Sequence, residues 1–201
     1  MTTAAGVISL LALAVVVASL VYLHLEPTGL SPVRNAVSQY GITSFRAGYR
    51  VATISFALAA VALGVGIDRV LRGGGRTTVV ALLVIFAVAR AAISWFPMDV
   101  PGTDRTDTGK MHGILALAAF ASVTIAAFRL ADVLSHRGRW HSLATASTAL
   151  GWAMTACLLG LALARSFPAI RARFGLVERG FYLSAISWFA LFAVACAANL
   201  R

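Results

Sequence analysis

Acidic residues occur only seven times in these 201 residues and lysine once, so that charged side chains make up 12% of the chain. With 60% hydrophobic residues, this leaves too little polar surface for a soluble domain of this length. The two cysteines, Cys157 and Cys196, lie in the middle of apolar runs without paired spacing, which excludes a disulfide framework and a thiolate metal site. No H-E-x-x-H or H-x-x-x-H spacing occurs, and the Asp99, Asp104, Asp107 series lacks the glycine and bidentate glutamate of a calcium loop, so no metal or other cofactor is expected. The formal charge of +10 has no basic tail or compact arginine run behind it, which excludes a nucleic-acid patch. Its arginines sit mostly at the ends of apolar runs, where they meet lipid phosphates. No basic stretch precedes the first run, and its apolar core is longer than that of a signal peptide. It therefore reads as a retained helix, although Val17-Ala18-Ser19 imitates a cleavage site.

What is present is apolar sequence of membrane-crossing length. A helix rising 1.5 Å per residue needs roughly 20 mostly apolar residues to cross about 30 Å of hydrocarbon. Six runs meet that requirement, at residues 4–25, 47–67, 77–96, 111–130, 143–164 and 180–200. The expected fold is all-α, a single six-span bundle over residues 1–201 in the cell membrane, with short connections making sequence neighbours antiparallel neighbours. Seven basic residues fall on the side of the termini and nine on the other. The seven crowd short loops, where the positive-inside bias acts most reliably, and this places both termini in the cytoplasm.

The connections after spans one, three and five emerge on one face. That face gathers SPVRNAVSQYGITSFR, WFPMDVPGTDRTDTGKMHG and RARFGLVERGFY, and with them Ser38, Arg46, Asp99, Asp104, Asp107, His112, Glu178 and Arg179. The spacing predicts that Pro97 ends the third span near Phe96 and that Pro101-Gly102 makes a tight turn. Asp107 or Thr108 caps the fourth helix, and Asp104 with Arg105 forms a solvated loop pair. Glu178 opens the sixth span at the positive end of its dipole, beside Arg179 and a rim of Arg171 and Arg173. Trp95, Phe181 and Tyr182 read as an interfacial belt. Gly73-Gly74-Gly75 is the plainest turn on the opposite face.

Arg90 is the one charge well inside a span, and an arginine at that depth costs several kcal/mol unless it snorkels, meets water or finds a partner. Either it snorkels, or it faces a hydrated pocket with Ser94 and Pro97 on the same face and Asp99 or Glu26 as partner. His24 and His112 lie on the mouth face, where an isolated histidine is more often an interfacial anchor than a ligand. A nucleophile reading takes Ser38 with His112 as base and an aspartate to orient it, against the commoner case of a serine bonded to its own turn. Ala92-Ile93-Ser94-Trp95-Phe96 recurs as Ala185-Ile186-Ser187-Trp188-Phe189, but a second echo has a different offset, so no transporter-type repeat is defined.

Three segments together carry a resemblance. They are Asn35-Ala36-Val37-Ser38-Gln39-Tyr40-Gly41, then Phe96-Pro97 with Asp99 and His112, and Gly175-Leu176-Val177-Glu178-Arg179. In this combination the chain resembles the six-span bacterial and archaeal membrane proteins catalogued as domain of unknown function 998. An acidic residue often precedes the glycine of the first motif in that pattern. This chain has Gln39-Tyr40 there, so no carboxylate role is carried over. The resemblance implies the span count and draws attention to these residues, and it implies no activity.

The resulting expectation is a non-enzymatic integral membrane protein whose polar mouth binds a lipid head group or a small polar ligand, with membrane lipids as its partners. A transporter using Arg90 is the first alternative, and a membrane-embedded lipid hydrolase using His112 and Asp99 is the second.

Overall fold

In the computed structural model, residues 2–71 and 75–198 are described, apart from the side chain of Arg139. Gly73 and Gly74 of the glycine turn, Arg72, Leu200 and Arg201 lie outside the described residues. Seven helices follow in order: α1 (Thr2–Leu25), α2 (Arg46–Val70), α3 (Arg76–Ala92), α4 (Asp107–Ser135), α5 (His141–Leu163), the single turn α6 (Pro168–Arg171) and α7 (Phe174–Ala197). Six of them, with α3 prolonged by a 3-10 turn to Trp95, are long and apolar enough to cross a membrane. No strand occurs among the described residues.

The helix ends follow local chemistry. Pro97 holds Phe96 at φ −117° and ψ 81°, so α3 tightens into the 3-10 turn Ile93–Trp95 and stops. Thr103 N–H donates to Val100 O across Pro101-Gly102, and Gly102 takes the positive φ of 90° that the second turn position requires. The cap of α4 is Thr106, not Asp107 or Thr108: its Oγ1 accepts from Gly109 N–H at 3.0 Å. Asp107, one place on, forms an exposed pair with Lys110 at 2.8 Å. Two helices outrun their apolar stretches by four residues or more at one or both ends. α4 extends four residues before residue 111 and five beyond residue 130, and α7 begins six residues before residue 180.

Each helix from α1 to α5 packs on the next, and α7 closes the ring between α1 and α5 while also touching α2 and α4. Lipid supplies no hydrophobic drive between helices, so close approach, shape and hydrogen bonds hold such a ring. Gly6 lies where a Cβ would run into the α7 backbone at Ala193 and Ala197, and Gly66 faces Cys196 Sγ. Ser9 Oγ donates to Ala59 O (3.0 Å), tying α1 to α2. A relay runs from Trp188 Nε1 to Ser147 Oγ (2.7 Å) and from Ser147 Oγ to Ala127 O (2.7 Å), joining α7, α5 and α4. Thr145, Thr148 and Thr155 return their hydroxyls to carbonyls one turn back, so these three groups of α5 are satisfied within the helix.

The centre is aromatic. Phe56, Phe86 and Phe189 meet ring to ring at 4.9, 5.1 and 5.2 Å, and Phe120 stacks on Phe181 at 4.2 Å. Phe181 and Tyr182 are therefore core residues and not part of an interfacial belt, whereas Trp95 is exposed. The two Ala-Ile-Ser-Trp-Phe copies occupy unlike places, the first in the turn ending α3 and the second buried in the middle of α7.

Candidate functional site

The polar residues of the mouth face divide into two groups with different chemistry. The first is closed on itself. The connection after α1 folds back over the start of α7, where Leu176 N–H donates to Val33 O at 3.0 Å. Gly175 permits that approach, since a Cβ there would collide with the carbonyl oxygens of Pro32 and Asn35. Glu178 does not open its helix. It lies in the second turn of α7, 6% exposed, and its Oε2 accepts Val37 N–H at 2.7 Å. Arg179 donates from Nε to His24 Nε2 (2.7 Å), from Nη1 to Asn35 O (2.9 Å) and Gly175 O (3.0 Å), and from Nη2 to the Tyr40 hydroxyl (3.3 Å). His24 Nδ1 also lies within hydrogen-bond reach of Leu20 O. Asn35 receives Ser31 N–H on Oδ1 and donates from Nδ2 to Gln39 Oε1 at 2.6 Å. Arg171, though exposed, donates to Ala164 O and Arg165 O, which ties its side chain to the end of α5.

The second group is open. A cavity of about 440 Å³ lies between the 3-10 turn Val37–Ile42 and the adjoining ends of α2, α3 and α4. This falls within the roughly 300–1,000 Å³ of ligand pockets generally. Its wall includes Ser38, Arg46, Tyr49, Arg50, Ser94 and His112, and no carboxylate. Arg46 and Arg50 stand one helical turn apart on α2. Arg50 lies over the Trp95 ring at 5.2 Å, and neither arginine forms an ion pair among the described residues. The Tyr49 hydroxyl has no hydrogen-bond partner although the residue is only 3% exposed. His112, 7% exposed, holds its Nδ1 at 2.8 Å from Phe96 O, an arrangement in which Nδ1 donates and Nε2 is left without a protein partner. Gly41 of the first motif packs its bare Cα on the Tyr49 ring, where a Cβ would come within 2.9 Å of Cδ1.

Arg90 lies between the two groups. It is 2% exposed, so it does not snorkel. Its guanidinium sits over the rings of Tyr182 (5.4 Å) and Phe56 (5.8 Å). Neither Asp99 nor Glu26 is its partner. Its Nε is also without a hydrogen-bond acceptor.

The remaining sequence candidates stand apart from the cavity. Asp99 accepts from Thr106 Oγ1 at 2.6 Å and from Thr106 N–H at 3.3 Å, which fastens the connection before α4. No hydrogen bond or ion pair joins it to His112. Asp104 and Asp107 are exposed, and no ion pair joins Asp104 to Arg105. Ser38 Oγ does not bond its own turn; it donates to Met98 Sδ at 3.2 Å. Sequence reasoning missed Tyr49 and Arg50, although the i, i+4 spacing of Arg46 and Arg50 was a usable signal. Among the described residues, no group of three or more His, Cys, Asp or Glu side chains is placed to hold a metal ion.

The segments thus joined, residues 35–41 against 175–179 and Phe96 against His112, are those that carried the family resemblance. The family model for protein of unknown function DUF998 matches residues 10–195. The chain belongs to DUF998. That match covers every spanning helix at least in large part and both polar groups, so the closed lock and the open cavity each lie within the DUF998 region. No curated protein and no solved structure matches the chain.

Proposed function

We propose that this DUF998 chain is a non-enzymatic multi-pass protein of the cell membrane whose open cavity binds an anionic polar group, carried by a lipid or a small solute. One observation carries the reading: the wall offers the guanidinium groups of Arg46 and Arg50, both exposed, and no carboxylate. Such a set of donors favours anions through charge-assisted hydrogen bonds. The mouth is narrower than the sequence implied, because Glu178 and Arg179 serve the lock and Asp99 serves its own connection.

The hydrolase alternative requires Asp99 to act with His112, yet Asp99 is bonded to Thr106, and Ser38 points its hydroxyl at Met98. The transporter alternative requires a polar path beyond Arg90, where Phe56 and its neighbours Phe86 and Phe189 pack instead. Both termini are assigned to the cytoplasm, and reporter fusions at the C-terminus test this: activity of a periplasm-only reporter there reverses the assignment.

The test of binding is a native mass spectrum of protein extracted gently from its own membrane, beside Arg46→Ala and Arg50→Ala. The expected result is a retained anionic species whose occupancy falls in both variants. Bare protein in all three samples removes tight binding as the function.

A further inference from the structure

Arg46 and Arg50 line a second recess as well as the mouth. On the outer side of α2 a cavity of about 370 Å³ is bounded by Arg46, Ala47, Arg50, Val51, Ile54 and Ser55. The two recesses therefore meet at the same pair of arginines, one polar and opening on the membrane face, the other nearly all apolar and opening sideways. Below the side recess, Val51, Ile54, Leu58, Val61 and Val65 are all exposed, and they repeat at three- and four-residue steps along α2. In a spanning helix, that is a continuous track facing the hydrocarbon from the depth of the arginines inward.

We infer that the ligand of the mouth is an anionic glycerophospholipid, its phosphate held by Arg46 and Arg50 and one acyl chain lying along the Val51–Val65 face of α2. The inference rests on the reading of the mouth as an anion site and adds the carrier of the anion. A phosphate at the arginines stands at the junction of both recesses, with the polar head group inside the mouth among Ser38, Ser94 and His112 and the glycerol ester turned outward. Arg46 and Arg50 are exposed and free of ion pairs, so no internal carboxylate has to be displaced. The Trp95 ring, 5.2 Å from the Arg50 guanidinium carbon, holds that group beside the cavity, and a guanidinium suits bidentate contact with phosphate. A free phosphate ester gains the arginines alone. A lipid gains them together with apolar contact along the track, which the side recess places next to the charge.

The experiment uses the full chain in detergent and native mass spectrometry with three probes: phosphatidylglycerol, phosphatidylcholine and water-soluble glycerol phosphate. Phosphatidylglycerol is expected to be retained in preference to both others, and Arg46→Ala with Arg50→Ala lowers that retention about tenfold, the scale of one lost charge-assisted hydrogen bond. Ile54→Trp and Ala47→Trp fill the side recess at exposed positions and are expected to weaken the lipid while leaving glycerol phosphate unchanged. If glycerol phosphate binds as tightly as phosphatidylglycerol and neither tryptophan variant matters, the anion site stands and the lipid inference is overturned. If phosphatidylcholine is retained equally and the arginine variants change nothing, the anion site itself is lost.

Discussion

Arg90 and Glu178 are the two charged side chains deepest in the bundle, and each is anchored differently. Glu178 has a definite partner in Val37 N–H, whereas Arg90 relies on two aromatic faces and on the nearby carboxyl group of Glu178. Removing one member of such a set leaves the other charge uncompensated, which is costlier than never having had either. Arg90→Met is therefore expected to lower the melting temperature in detergent more in the native background than beside Glu178→Gln, with a coupling of about 0.5–3 kcal/mol. Additive effects would show that the two charges do not interact. Glu178→Ala should also cost more than Glu178→Gln, since only the amide can still accept from Val37, and an orphaned buried N–H costs about 1–3 kcal/mol. The exceptional position of Arg90 was legible in the sequence, because a charge inside an apolar run stands out. Its partners were not, since they come from α2 and α7 and depend on which helix faces which.

Among the elements, the connection between α1 and α2 has the most to lose from a small change. It carries the roof of the cavity on its 3-10 turn, and its other side is fastened to α7 by Glu178, Arg179 and the Leu176–Val33 bond. Gly175 sits beneath that junction. Gly175→Ala forces a methyl group against two backbone carbonyls, and overpacking of this kind costs about 1–3 kcal/mol. Amide exchange across Val37–Ile42 should accelerate while α3 and α4 remain protected; unchanged exchange there means that the lock does not hold the roof. The sequence signalled these elements unevenly. Pro97 and Pro101-Gly102 announced the end of α3 and the turn after it, because a locked φ and a positive φ are local properties. Hydropathy placed the start of α7 at residue 180 because it registers where apolar side chains begin. Backbone hydrogen bonding begins at Phe174, and the extra turn and a half puts Glu178 under a loop.

Considered as a whole, the molecule is a ring of six spanning helices around an aromatic centre, with the arginine-lined cavity at one end. The ring itself was legible, since run lengths and short connections leave little choice of neighbours. What fills its axis was not. Phenylalanines scattered over α2, α3 and α7 reveal their meeting only when the helices are rotated into place. That meeting separates a binding site from a conduit. An ion descending from the mouth passes Tyr49, reaches Arg90 over Phe56, and then meets Phe86 and Phe189 packed at van der Waals distance. The hydroxyls of Ser9 and Ser147 farther along are turned to helix carbonyls and so are not available to replace an ion's hydration shell. Reconstituted in vesicles, the protein is therefore expected to leave phosphate and sulfate flux at the level of empty vesicles. Phe86→Ala should lower stability by about 3–5 kcal/mol, the usual cost of such a cavity, without creating a leak. Saturable flux that disappears with Arg90→Met would show instead that the aromatic centre opens, and Arg90 would then line a pathway and not close the floor of a pocket.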